Sequence, residues 1–151
     1  MHRITTEPVS PVDAWEALFR AQVAMMRQLT DEFPSEVISF NEYDALFNLS
    51  RARDYTLRIR DLNEEVLLTQ PSISRLIDRL AQRGLVTKCI DPHDGRGTLV
   101  SLTDEGFTLF RNAAKIHAKS IASRMSDNLD GDELAELARL TRKLHDGLRA
   151  R

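Results

Sequence analysis

Across one Arg-Gly step in the middle of this chain, the hydrophobic period changes from 3.6 to 2. Before the step, SISRLIDRLAQR (Ser72–Arg83) sets Ile73, Leu76, Ile77 and Leu80 at i, i+3, i+4 and i+7, which stacks them on one face of an α-helix. The opposite face carries Ser72, Arg75, Arg79 and Gln82, a row of donors with no apolar side chain. Such a helix buries one side and offers the other to an anionic surface. Thr69 is placed to cap it, with Gln70 and Pro71 in the first turn, where the missing proline N–H leaves no bond unmade. Gly84 supplies the left-handed stop. After the step, Leu85–Ile90 and Thr98–Leu102 alternate as strands do. The DPHDGRG between them reads as a hairpin tip too long for a two-residue turn, that is, a projecting wing. Upstream, LRIRDLNEEV (Leu57–Val66) is a second short helical pattern only a few residues away, so the centre reads as a helix-turn-helix followed by a wing.

The flanks are helical. Residues 1–11 read as an arm, with Pro8 and Pro11 delaying helix until Val12. From Val12 to Thr30, Trp15, Leu18, Phe19, Met25, Met26 and Leu29 keep a helical period, and Pro34 interrupts it. A shorter helix is expected over Asn41–Leu49, with Tyr43, Leu46, Phe47 and Leu49 inward and Ser39 or Asn41 at its cap. Asp54–Thr56 reads as a brief extended connection. Thr103 caps a long helix with Asp104 and Glu105 in its first turn, where negative charge suits the helix dipole, and with Phe107, Phe110, Ala114, His117, Ile121 and Met125 along one stripe. Asp130-Gly131 breaks it, and Leu134, Leu137, Leu140, Leu144 and Leu148 mark a last helix. That is more apolar helix than a 151-residue monomer needs outside its central unit, so the terminal helices are read as a dimer interface. The expected fold is mainly α with a small β-hairpin. A winged helix-turn-helix spans 34–102, flanked by dimerisation helices from 1–33 and 103–151 in one continuous domain.

Composition narrows the class without naming it. A charged fraction of 29% and a hydrophobic fraction of 42% are ordinary for a globular chain, and no apolar run approaches the roughly 20 residues of a membrane span. The opening MHRITTEPVSP has no apolar core of a leader, so a cytoplasmic location is expected. Cys89 is the single cysteine, which excludes an internal disulfide. The net charge of −2 does not advertise a nucleic-acid partner, but its distribution does. From Thr69 to Ser101 five basic residues face three acidic ones, a local net of +2 that leaves −4 for the rest. A modest cationic patch on an acidic body directs one face to a polyanion.

The stretch from Leu57 to Arg111 resembles the DNA-binding part of the MarR (multiple antibiotic resistance regulator) family of winged helix-turn-helix repressors. Its first helix carries RxxDL (Arg58 to Leu62), its second SxSRLxDRL (Ser72 to Leu80), and Arg83-Gly84-Leu85-Val86 enters the wing. The wing is similar to the family signature D-P-x-D-x-R…L-V-x-L-T-x-x-G, through Asp91, Pro92, Asp94, Arg96, Leu99, Val100, Leu102, Thr103 and Gly106. The resemblance implies a homodimeric, sequence-specific DNA-binding transcription regulator that represses by occupying a pseudo-palindromic promoter site. It implies base-edge contact by Gln70, Pro71, Ser72, Ser74 and Arg75, with the planar fork of Arg75 suited to guanine O6 and N7. Arg79 would hold a phosphate, and Lys88 and Thr98 would add phosphate contacts from the wing strands. Arg96 would enter the minor groove with Asp94 as its orienting carboxylate. Family effectors are often small aromatic or phenolic molecules bound between the dimer helices and the winged module. Trp15, Phe19, Met26, Phe40, Tyr43 and Phe47 lie in that part of the chain, but core packing accounts for them more economically.

Plainer readings stand beside these. Arg75 or Arg79 with Asp78 would make ordinary surface ion pairs. Cys89 is favoured as a structural thiol over a redox sensor. His93 at a hydrated hairpin tip lacks the companions of a metal site, and His117 reads as packed or dimer-facing. Asn63 stands where the family usually has a small residue. No cofactor and no catalytic constellation is expected. The alternative function is a winged-helix protein-interaction module without DNA binding.

Overall fold

The computed structural model describes residues 8–66 and 70–150. Six helices and one small sheet follow in the order α1 (Pro11–Glu32), α2 (Phe40–Arg51), a 3-10 turn (Arg53–Tyr55), β1 (Thr56–Arg58), α3 (Ile59–Glu65), α4 (Gln70–Gln82), β2 (Val86–Asp91), β3 (Asp94–Leu102), α5 (Asp104–Ser126) and α6 (Gly131–Arg149). The arm at 1–7 and the proposed cap Thr69 lie outside the described residues.

Helix starts follow short-range chemistry. Ser10, Ser39 and Asp130 each accept the N–H of the residue three positions on, and Asp13, Glu42 and Glu133 bond back to the cap amides. Each such reciprocal box satisfies two amides that the helix itself cannot, and a cap is worth about 1 kcal/mol. Ser39, not Asn41, is therefore the cap of α2, and Pro11 is the first residue of α1 rather than part of an arm. At the other end of α4, Gly84 adopts φ +73 while the Leu85 amide donates to Leu80 O at 3.0 Å and the Gly84 amide to Ala81 O at 3.0 Å. These paired bonds close the helix as a left-handed glycine permits.

Two local expectations are corrected. The sheet has three strands in the order β1-β3-β2, because Asp54 and Tyr55, both at φ +54, turn the chain so that Thr56–Arg58 pairs with Ser101–Leu99. Leu57 and Arg58 are thereby strand, and α3 is shorter than its sequence pattern. The wing tip is also tighter than its composition suggests. Asp91 pairs with Asp94 across Pro92-His93 alone, after a register shift at Ile90/Asp91. Side-chain carboxylates make this turn: Asp91 Oδ1 accepts the His93 amide at 2.9 Å, and Asp94 Oδ1 the Arg96 amide at 3.1 Å.

The core sits in the winged unit. Leu46, Leu49, Leu62, Ile73, Ile77, Leu80 and Val100 are completely buried. Phe47, expected inward, is instead at the rim, its ring 6.4 Å from Tyr43 with the Arg51 guanidinium over it. By contrast α1 buries only Leu29, and α6 buries nothing. Trp15 is 58% exposed, and Leu137, Leu140, Leu144 and Leu148 are 37–65% exposed. An apolar stripe of that kind on two helices marks an interaction surface.

Candidate nucleic-acid interface

Helix α4 divides as its period requires. Ile73, Leu76, Ile77 and Leu80 are buried in the core, while Arg75, Asp78 and Arg79 are exposed on the far side. Ser72 and Ser74 are half-buried at its start; of Gln70 and Pro71 only the backbone, in the first turn, is described. Arg75 and Arg79 make no ion pair among the described residues. Asp78, which the plainer reading sets against one of them, pairs with Lys88 Nζ on β2.

That pair has two consequences. It ties the outer face of the recognition helix to the wing strand, so Arg75 and Arg79 share a surface with β2. It also gives the Lys88 ammonium a carboxylate partner within the chain. Thr98, opposite Ile90 on β3, is half-buried, and Arg96 stands exposed beside the hairpin tip. Asp94 acts on Arg96 through its backbone amide, not its guanidinium, so the expected orienting contact fixes the turn and leaves the side chain free to extend.

The wing is anchored by residues to which no role was assigned from sequence. Asp91 is 2% exposed, and its Oδ2 lies 2.6 Å from Arg58 Nε on β1. The His93 amide, and then the Arg58 guanidinium, hold the Asp91 carboxyl below the usual carboxylate range against the opposing effect of burial. The signal available in sequence was Asp91-Pro92 itself, a turn initiator whose carboxylate needs a cation when buried. Its partner lies 33 residues upstream, beyond any local pattern.

Remaining chemistry is sparse. Cys89 is exposed on β2, contrary to a packed structural thiol. No group of three His, Cys, Asp or Glu among the described residues is arranged for a metal. His117 is 8% exposed, packed against the rings of Phe33, Phe40 and Tyr43 at 5.2–5.5 Å, and burial lowers its pKa. Asn63 Oδ1 is buried without a hydrogen-bond partner among the described residues. No described helix is long and apolar enough to cross a membrane.

Residues 38–97, from the end of the α1–α2 corner to the wing tip, match the MarR family. Over 106 residues the chain is 31% identical to the HTH-type transcriptional regulator MT0903.1 of Mycobacterium tuberculosis, spanning 70% of this chain and 73% of that one. The chain belongs to the MarR family. MarR proteins are transcription regulators, not enzymes. The multiple antibiotic resistance protein MarR of Escherichia coli is 32% identical over 73 residues, 48% of this chain and 51% of that protein. Among solved structures, AbsC of Streptomyces coelicolor superposes with a TM-score of 0.77 at 24% identity, covering 97% of this chain and 100% of its own. PcaV of the same organism, solved with its natural ligand, has a TM-score of 0.65 at 28% identity over 97% and 96% of the two chains.

Proposed function

We propose that this MarR-family chain works in the cytoplasm as a homodimeric repressor of a pseudo-palindromic double-stranded DNA site. The observation that carries this is the pair of exposed, uncompensated guanidinium groups, Arg75 and Arg79, on a helix whose other face is wholly core. Phosphates attract such a face, and a helix of this kind enters the major groove. Arg75 reads guanine, Arg79 holds a phosphate, and Gln70, Pro71, Ser72 and Ser74 approach base edges from the first turn. Arg96 enters the minor groove from a tip that Asp94 and the Arg58–Asp91 pair keep in shape, with Lys88 and Thr98 on the adjoining backbone. The region 34–102 reads DNA, and 1–33 with 103–151 joins two copies. Two-fold symmetry sets half-site centres about 10 bp apart, or a multiple of that. Relatives support the reading: Sco3205 of Streptomyces coelicolor was solved with DNA and a MarR variant with operator DNA, and DNA binding by BpsR of Bordetella bronchiseptica is regulated by 6-hydroxynicotinic acid. A small-molecule effector fits the same frame.

Selection of duplexes from a random pool tests the proposal, with an enriched symmetric site as the expected result. A protein-interaction module would enrich none, and would show no steep loss of binding with salt. Arg96→Ala should weaken binding to the selected site and lower the salt slope by about 1 while folding is unchanged; an unaltered slope would remove the wing from the interface.

A further inference from the structure

Strand β2 is an edge strand, bonded to β3 alone, and its residues alternate between two faces. Val86, Lys88 and Ile90 share the face that meets α4: Val86 is buried in the core, and Lys88 Nζ pairs with Asp78 on the outer surface of that helix. Their cross-strand partners Leu102, Val100 and Thr98 stand on the same face. Ile90 is the next in the row, about 7 Å beyond Lys88 toward the wing tip. It is 72% exposed, more than any other large apolar side chain in the described part of 34–102. A lone exposed isoleucine is ordinary on a protein surface, but this one is set among cations. Lys88 precedes it on the strand, and Arg75 and Arg79 stand outward on α4. Arg96 lies two residues before Thr98, in the stretch Gly95–Gly97 that the register shift leaves without partners on β2.

We propose that Ile90 is itself a DNA contact, an apolar side chain that packs against deoxyribose between the two grooves; this rests on the DNA-binding reading. With α4 in the major groove and Arg96 in the adjacent minor groove, the sheet face between them lies over the sugar–phosphate strand that separates the grooves. That strand presents anionic oxygens and apolar sugar edges in alternation. The arginines match the first, and Ile90 matches the second by excluding water from sugar C–H groups with no counter-charge required. A sugar contact holds the protein in register on the duplex without reading a base. Because isoleucine is β-branched, its side chain is already stiff at the first torsion and loses little freedom on docking.

Ile90→Val and Ile90→Thr, alike in shape and both β-branched but different in polarity, provide the test on the full chain with the duplex that the wild type selects. Ile90→Val should bind within about threefold of the wild type, and Ile90→Thr about tenfold more weakly. In both variants log affinity should keep its wild-type slope against log salt, because an apolar contact releases no counterion, whereas Arg96→Ala lowers that slope. A side chain this exposed supports little of the fold, so the urea midpoints and the sedimentation of both variants should match the wild type. Equal affinities for the two variants overturn the apolar contact. So does a loss accompanied by a lower salt slope, which would mean that the substitution displaces Arg96. A change in self-association would assign Ile90 to a contact between copies and overturn it as well. A wild-type chain that selects no duplex overturns the regulator reading and this contact together. A wild type that binds, with Ile90→Thr binding as tightly, overturns the contact alone.

Discussion

His117 shows how one side chain ties stability to pH. Its imidazole is enclosed by Phe33 at the end of α1, by Phe40 and Tyr43 on α2, and by its own helix, and Nδ1 is buried with no hydrogen-bond partner among the described residues. The neutral ring suits that box; the charged ring loses its hydration there. Its folded pKa therefore lies below the ordinary histidine value of about 6.5. A depressed folded pKa contributes stability that is present above about pH 6.5 and is lost as pH falls toward the lower folded value. Urea unfolding at a series of pH values from about 7.5 to 5.5 should show that decline in the wild type, and a flatter profile in His117→Gln. Equal slopes in the two proteins would show that the ring titrates as it does in water. The helical stripe of α5 left His117 as packed or dimer-facing; the aromatic rings that pack against it come from residues 74 or more positions away.

At the scale of elements, the junction of α4, β2 and α5 is set by close backbone approach. Thr103 caps α5 with its hydroxyl accepting the Gly106 amide at 3.0 Å, donates that hydroxyl to Gly84 O at 2.7 Å, and donates its own amide to Leu85 O at 3.1 Å. A Cβ on Gly106 would fall 2.0 Å from Leu85 O, so the backbone itself occupies the space. Gly106→Ala should destabilise the protein by about 1–3 kcal/mol or more, as overpacking against an atom that cannot rotate away, measured as a lower urea midpoint with an unchanged slope. A variant as stable as the wild type would mean that α5 can slide on β2. The Thr103 cap and the Gly84 stop were legible because each works within a few positions of itself, whereas Ser10 was read as part of an arm. Strand β1 was not: three residues make no period, and Thr56–Arg58 is a strand only because β3 lies beside it.

For the whole molecule, the weight of the chain outside the winged unit is the deciding feature. Helix α6 keeps an apolar stripe yet buries no residue, and α5 is joined to α1 by Arg124, which donates to Gln28 Oε1 at 2.6 Å and pairs with Glu32. Removal of residues 130–151 should leave the winged core folded and weaken self-association by orders of magnitude, because the leucine stripe is lost at about 25 cal/mol per Å² of apolar surface. Sedimentation of the shortened chain checks it; a dimer as tight as that of the full chain would place the interface elsewhere.

What the amino-acid sequence determined by itself was written within a turn or two: which face of α4 is core, where α4 stops and α5 starts, that a wing projects after α4, and which arginines of α4 stand outward. The tertiary structure decided what depends on partners far along the chain. Asp78 meets Lys88 rather than Arg75 or Arg79, buried Asp91 meets Arg58, and Arg83 grips the α1–α2 corner through Val37 O. Periodicity fixes the direction in which a side chain points, because helix and strand geometry repeat locally. A charge's partner is fixed only when the core brings distant segments together, and there the nearer cation in space prevails over the nearer one in sequence.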